Sequence, residues 1–223
     1  MRSPPGRPKA NSLPRGGDAA GVSGAVKRIG LLGGTFDPVH NAHVALACIA
    51  LETLALDELR WVPAGQPWQK TRRVTASADR IAMLQLALAG EPRFVLERCE
   101  IDRTGPSYTL DTVRELRAHE PDAQWFLIVG QDQFANLHSW HGCQELLSLV
   151  TLAVAARPGA ARQADALIQA QAYQVLPLPT MDISATAIRE RVARGAPVDH
   201  LLPPAVASYI LSLIHISEPT RRS

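Results

Sequence analysis

The stretch VKRIGLLGGTFDPVHNAHVALACIALETLA, residues 26–55, sets the fold. Val26 to Leu32 is a short, largely apolar run that ends on Gly33-Gly34, and it reads as a strand. His43 to Ala55 is apolar nearly all round, which predicts a helix buried on most of its faces. Between them lies a short polar loop. The paired glycines let backbone approach a ligand closely, and the free amides and positive dipole end of the following helix favour a phosphate.

The same alternation continues along the chain. Strands are expected at Leu59–Pro63, Phe94–Leu96, Trp125–Val129 (WFLIV), Leu149–Ala155 (LVTLAVA) and Gln174–Leu176, the fourth and fifth as near-continuous apolar runs covered on both faces. Helices are expected from Ser77 to Ala89, Thr109 to His119, Arg162 to Ala172 and Ala185 to Arg194, with Ser77 and Thr109 as candidate N-caps. Strand alternating with helix implies a parallel sheet with helices on both faces, a doubly wound α/β domain. Ligands in such sheets sit at the carboxyl ends of the strands.

Composition agrees with a folded domain and removes several classes. Of 223 residues, 46% are hydrophobic and 20% charged, close to an ordinary globular protein. No run approaches the roughly 18 apolar residues of a membrane span, and the N-terminus has no apolar core of a secretory signal. Cys48, Cys99 and Cys143 are widely spaced, which suggests neither a disulfide framework nor a thiolate zinc site and favours a reducing cytoplasm. The net charge of +2 is carried by the ends: Ile29 to Leu211 holds 15 basic and 19 acidic residues. That mildly acidic body carries no footprint for nucleic acid. Residues 1–24, rich in Pro, Gly, Ser and Arg, are expected to be a disordered N-terminal extension. LSLIHISEPTRRS, residues 211–223, resembles the translation of a sequencing-library adapter and is expected to be non-native, leaving 25–210 as a single domain.

Two constellations carry chemistry. In GGTFDPVHNAH, His40 and His43 stand three apart at a helix start. Three readings are open from spacing alone: both imidazoles hold one phosphate chain, both ligate a metal, or both merely cap and pack. The pair is a poor zinc site because no third ligand lies near in sequence. No GxGxxG fingerprint is present, which removes support for a nicotinamide-dependent dehydrogenase. In MDISATAIRERV, Ser184 at the N-cap places Ile183 and Ile188 as a hydrophobic staple and Ser184, Thr186 and the first amides at a second anion-attracting terminus. Arg189 lies one turn in and can fork two phosphate oxygens, although an ordinary cap beside a surface arginine is equally compatible with the local pattern.

GGTFDPVHNAH followed by ISATAIRE resembles the nucleotidylyltransferase superfamily, and within it the nicotinate-nucleotide adenylyltransferase family. VPAGQPWQK, GPSYTLDT and IVGQDQFANLHSW, in that order between the two motifs, are similar to the family's substrate-side segments. The resemblance covers about Lys27 to Ile210. It implies a Rossmann-like doubly wound parallel sheet and transfer of AMP from ATP to nicotinate mononucleotide, giving deamido-NAD and pyrophosphate. It further implies that Gly33, Gly34, Thr35 and Phe36 line the nucleotide junction, and that His40 and His43, with Lys70, Ser184, Thr186 and Arg189, hold ATP phosphates. Tyr108 and Thr109 would meet the nicotinate carboxylate, Asp132 a ribose, and Trp140 the pyridine ring, with core packing as the competing role of the tryptophan. Mg²⁺ would be held mainly by ATP rather than by protein ligands, and a homo-oligomer is compatible.

Two departures stand out. Ala42 replaces the family's glycine before the second histidine, and Ala185 replaces a serine in ISST. Neither removes an imidazole or the arginine. They leave two rival expectations: a sibling enzyme using nicotinamide mononucleotide or phosphopantetheine, and a nucleotide-binding module without turnover.

Overall fold

The computed structural model describes residues 25–65, 74–156 and 172–217. Six parallel strands form one sheet: β1 (Arg28–Gly34), β2 (Glu58–Pro63), β3 (Phe94–Leu96), β4 (Gln124–Gly130), β5 (Thr151–Ala156) and β6 (Tyr173–Pro177), in spatial order β3-β2-β1-β4-β5-β6. The helices are α1 (Asn41–Thr53), α2 (Ser77–Leu88), α3 (Cys99–Asp102), α4 (Thr109–His119), α5 (Gln131–Ala135), α6 (Cys143–Leu149), α7 (Ala185–Ala193) and α8 (Pro204–Ser217). The chain reverses its direction of travel across the sheet between β1 and β4, and a doubly wound sheet opens its ligand crevice at such a switch.

Strand alternation divides the core in two. Ile29 and Leu31 of β1, Trp125, Leu127 and Val129 of β4, and Leu152 and Val154 of β5 pack with Leu110, Val113 and Leu116 of α4. The intervening Leu32, Phe126, Ile128, Ala153 and Ala155 turn to the opposite face, where they meet Leu46, Ala47, Ala50 and Leu51 of α1, Leu84 of α2, Ile188 of α7 and Val206 of α8. Both faces of the sheet are thus buried, which is why β4 and β5 read as unbroken apolar runs. Gly30 is dictated by packing: a Cβ there would lie 2.6 Å from Leu56 Cδ1.

The expected strands and helices that fall on described residues all form, with three corrections. β1 runs on through Gly33 and Gly34, pairing them with Val62 and Pro63. Neither Ser77 nor Thr109 caps its helix: each is the first helical residue, with Ala76 and Tyr108 at the N-cap position and no side-chain cap bond. Leu149 ends α6 rather than opening β5, because an apolar run crosses the boundary between them. α3, α5 and α6, of 4, 5 and 7 residues, are too short to show a helical period and were not expected. The helix over Arg162–Ala172 lies, but for its last residue, outside the described residues. α8, of 14 residues, also lies outside the expected helices; it crosses the boundary drawn at Ile210 and runs to Ser217. Among the described residues no helix is long and apolar enough to cross a membrane.

Candidate active site

The carboxyl end of β1 delivers a loop whose shape is held from beneath. Phe36 adopts a left-handed backbone (φ 49°), strained for a residue with a Cβ, and the Asp37–Pro38 peptide is cis. Compensation comes from packing: the Phe36 ring is buried edge-on to His43, with centroids 5.1 Å apart, and tilted against Trp61. Gly34 makes room for that ring, since a Cβ there would come within 3.0 Å of it, whereas a Cβ on Gly33 would meet nothing. The two glycines therefore differ in purpose. Arg80 of α2, only 2% exposed, donates Nη1 to the Thr35 carbonyl at 2.9 Å and Nε to the Thr75 carbonyl at 3.1 Å. The nearby Asp37 carboxylate, 3% exposed, opposes the effect of burial on this guanidinium. A buried charge kept beside an opposite charge and backbone acceptors is what such a loop needs to stay in one shape.

His40 and His43 stack face to face at the start of α1, ring centroids 3.6 Å apart and 19° from parallel. The His40 amide donates to His43 Nδ1 at 3.3 Å, so His43 carries its proton on Nε2 and keeps a donor at the ring's far edge. His40 is 6% exposed, and burial pulls its pKa down to about 4. It is thus neutral at pH 7. Its Nδ1 is buried and meets no hydrogen-bond partner among the described residues. Among those residues no three His, Cys, Asp or Glu side chains converge as metal ligands.

The second motif approaches the same loop. Ser184 caps α7, its hydroxyl accepting from the Ala187 amide at 3.2 Å, and Ile183 packs on the cluster that buries Ile188. Arg189 donates Nη1 to the Asp37 carbonyl at 2.7 Å and Nη2 to Thr186 Oγ1 at 3.0 Å. One guanidinium therefore ties together segments 152 positions apart.

These elements enclose a cleft of about 790 Å³ at the carboxyl ends of β1 and β4. Gly33, Gly34, Thr35, Phe36, His40, His43, Tyr108, Thr109, Asp132, Trp140 and Ser184 all line it. Ala42 and Ala185 also face it, both within helices, so the methyl of Ala42 is carried on ordinary helical backbone. Thr186 and Arg189 stand behind this lining and reach it through Asp37, and Lys70 lies outside the described residues. Trp140 lines the cleft and packs against the α4-side core, as its core-packing reading expects.

Of the lining residues that no site expectation names, four make contacts that shape the cleft. Asp37 and Glu100 are buried acids; Ser107 accepts from the Gly65 amide at 3.0 Å; His141 stacks on Tyr108 with centroids 4.6 Å apart. Local signals existed for three of them: Asp37 and Ser107 lie inside the quoted motifs and His141 follows Trp140, whereas Glu100 had none.

Comparison with known proteins agrees with this geometry. The sequence profile of the cytidylyltransferase-like family matches residues 31–191. A probable nicotinate-nucleotide adenylyltransferase of Methylibium petroleiphilum is 45% identical over 200 residues, covering 87% of this chain and 94% of that protein. One of Bordetella petrii is 46% identical over 191 residues, covering 83% and 96%. In fold, the chain is similar to Plasmodium falciparum nicotinic acid mononucleotide adenylyltransferase complexed with NaAD, with a TM-score of 0.70 at 19% identity over 84% of this chain and 96% of that one. A crevice at the strand-order switch, two stacked histidines and an arginine tying the distant motif to their loop thus occur in a chain that belongs to the cytidylyltransferase-like family, among its nicotinate-nucleotide adenylyltransferases.

Proposed function

We infer that this chain transfers the adenylyl group of ATP to nicotinate mononucleotide, releasing pyrophosphate and forming deamido-NAD. The observation that carries the reading is the bond from Arg189 to the Asp37 carbonyl, which closes ISATAIRE onto the GGTFDPVH loop around one cleft. The names of relatives about 45% identical over most of their length select the acceptor.

The reaction is a displacement at the α-phosphorus, with the 5′-phosphate of the mononucleotide as nucleophile. With a second pKa of about 6, that phosphate is already ionised near pH 7, so no general base is required. Catalysis then rests on in-line alignment and on donors aimed at charge that develops on the transferred and leaving groups. His43 Nε2–H suits this task as a neutral donor, and His40, held neutral by burial, offers a hydrogen bond rather than a charge. Arg189, Lys70, Ser184 and Thr186 would supply the remaining phosphate contacts, with Gly33 to Phe36 at the junction of the two nucleotides. Tyr108 and Thr109 would meet the acceptor carboxylate, Trp140 its ring and Asp132 its ribose. Mg²⁺ would enter as part of the nucleotide substrate, neutralising triphosphate oxygens and keeping several waters. A cytoplasmic setting belongs to the same proposal, in keeping with Cys48, Cys99 and Cys143 as free thiols.

Pyrophosphate release from ATP, measured with nicotinate mononucleotide, nicotinamide mononucleotide and phosphopantetheine in turn, tests the reading. Fast release with the first alone is expected. A preference for either other acceptor moves the chain to a sibling activity, and silence with all three leaves only a nucleotide-binding module.

A further inference from the structure

Below the acceptor side of the cleft lies a polar knot that the chemistry above leaves without a task. Glu100 of α3 is 7% exposed and lines the cleft beside Ser107 and Thr112. Thr112 Oγ1 donates to Glu100 Oε1 at 2.8 Å and accepts from Arg103 Nη1 at 3.3 Å. Ser107 stands on the other side, where its hydroxyl accepts from the Gly65 amide at 3.0 Å and, with Thr112, favours the charged form of Glu100 against the upward push of burial on its pKa. A hydroxyl has one proton to give. Thr112 receives the Arg103 N–H and gives its proton to Glu100. Through Thr112 the carboxylate joins α3 to α4, and Ser107 beside it joins the approach to α4 to the exit of β2. Backbone contact reinforces the join, since a Cβ on Gly65 would fall 1.9 Å from the Glu100 carbonyl oxygen.

Tyr108 and Thr109 lie between these anchors, with Leu110 and Asp111 completing the turn to Thr112. Resting on the reading that this pair meets the acceptor, we propose that Glu100 is a positioning residue for the mononucleotide: through Ser107 and Thr112 it fixes the Tyr108–Thr109 corner from both sides. The donor side of the cleft is held separately, by Arg80 and Arg189 on the Thr35–Asp37 loop. Loss of Glu100 therefore acts on one substrate and leaves the other's site intact. A purely structural residue has no such selectivity.

Steady-state kinetics of the full chain with each substrate varied separately provide the test, using Glu100→Ala, Glu100→Gln and Ser107→Ala. Misplacing a binding group by about 1 Å costs up to ~10²-fold, so Glu100→Ala is expected to raise KM for nicotinate mononucleotide by ~10-fold or more, with KM for ATP within about twofold of wild type. Glu100→Gln, which keeps the volume and one acceptor oxygen, should recover KM to within about threefold, and Ser107→Ala should raise it in the same direction as Glu100→Ala. Parallel rises in both KM values, no rise in either, or a Gln variant as impaired as the Ala variant each overturn the proposal. If Glu100→Ala does not fold, Ser107→Ala decides: an unchanged KM for the mononucleotide refutes it. A wild-type chain that turns over ATP with another acceptor refutes the underlying reading instead, so the two failures are distinguishable.

Discussion

The helix starts at His40 and Ser184 flank one cleft yet are built on opposite plans. At α1 the capping position is a buried imidazole stacked on its neighbour, with a ring nitrogen that meets no partner among the described residues. At α7 the cap is an exposed serine whose hydroxyl already serves its own helix, and the arginine one turn in already holds a carbonyl and a threonine. The first terminus is costly to maintain without a ligand, because a buried polar atom without a bond is unfavourable. The second is satisfied as it stands. Removing a group from the first should cost chemistry, whereas removing one from the second should divide its cost between chemistry and folding.

The largest effect is expected at α1. His40→Ala or His43→Ala should lower turnover by ~10²-fold or more, the usual loss for one transition-state donor, while thermal unfolding shows whether the fold persists. Full turnover in both variants would erase the distinction between the two termini. Next comes Arg189→Ala, expected to lower kcat/KM for ATP by about 10- to 100-fold, with Arg189→Lys failing to restore it because a lone ammonium cannot span the Asp37 carbonyl and Thr186 together. Rescue by lysine would mean that charge alone matters there.

A pH experiment sharpens the contrast. His40 has its pKa lowered to about 4 from 6.5, so between those values the unfolded chain binds more protons than the folded one. Stability should therefore be complete above pH 6.5 and decline as pH falls toward 4. Denaturant midpoints of His40→Gln should show a shallower decline than wild type over that window, and identical slopes would count against a neutral buried His40. The smallest effect is expected for Ser184→Ala, which should cost about 1 kcal/mol of stability through loss of the cap and less than tenfold in turnover. Calorimetry and the pyrophosphate assay read the two parts separately.

The sheet was largely legible because burial on both faces writes itself into β4 and β5 as continuous apolar runs. The start of α7 was legible for a similar reason, since Ser184, Ile183 and Ile188 interact within a few residues of one another. What escaped depends on distance along the chain. Arg80 and Asp37 are 43 positions apart and appear in sequence as unremarkable charges, yet each is buried beside the other. Glu100 makes sense only once Gly65 and Thr112 are placed against it. Arg189 was expected to face phosphate, and its bond to the Asp37 carbonyl could not be foreseen from local spacing. α5 and α6 were hidden by brevity, and Leu149 was assigned to a strand because an apolar residue at a helix–strand junction satisfies either period.

The unequal glycines of β1 carry a practical consequence. Gly34 sits against the aromatic ring beside it, so enlarging it requires the Phe36 ring to yield by a few tenths of an ångström. Gly33 lies in open space on the cleft wall, with no positive φ to defend. A methyl added there should leave folding untouched while taking up room in the cleft, so Gly33→Ala separates a loss of nucleotide binding from a loss of stability.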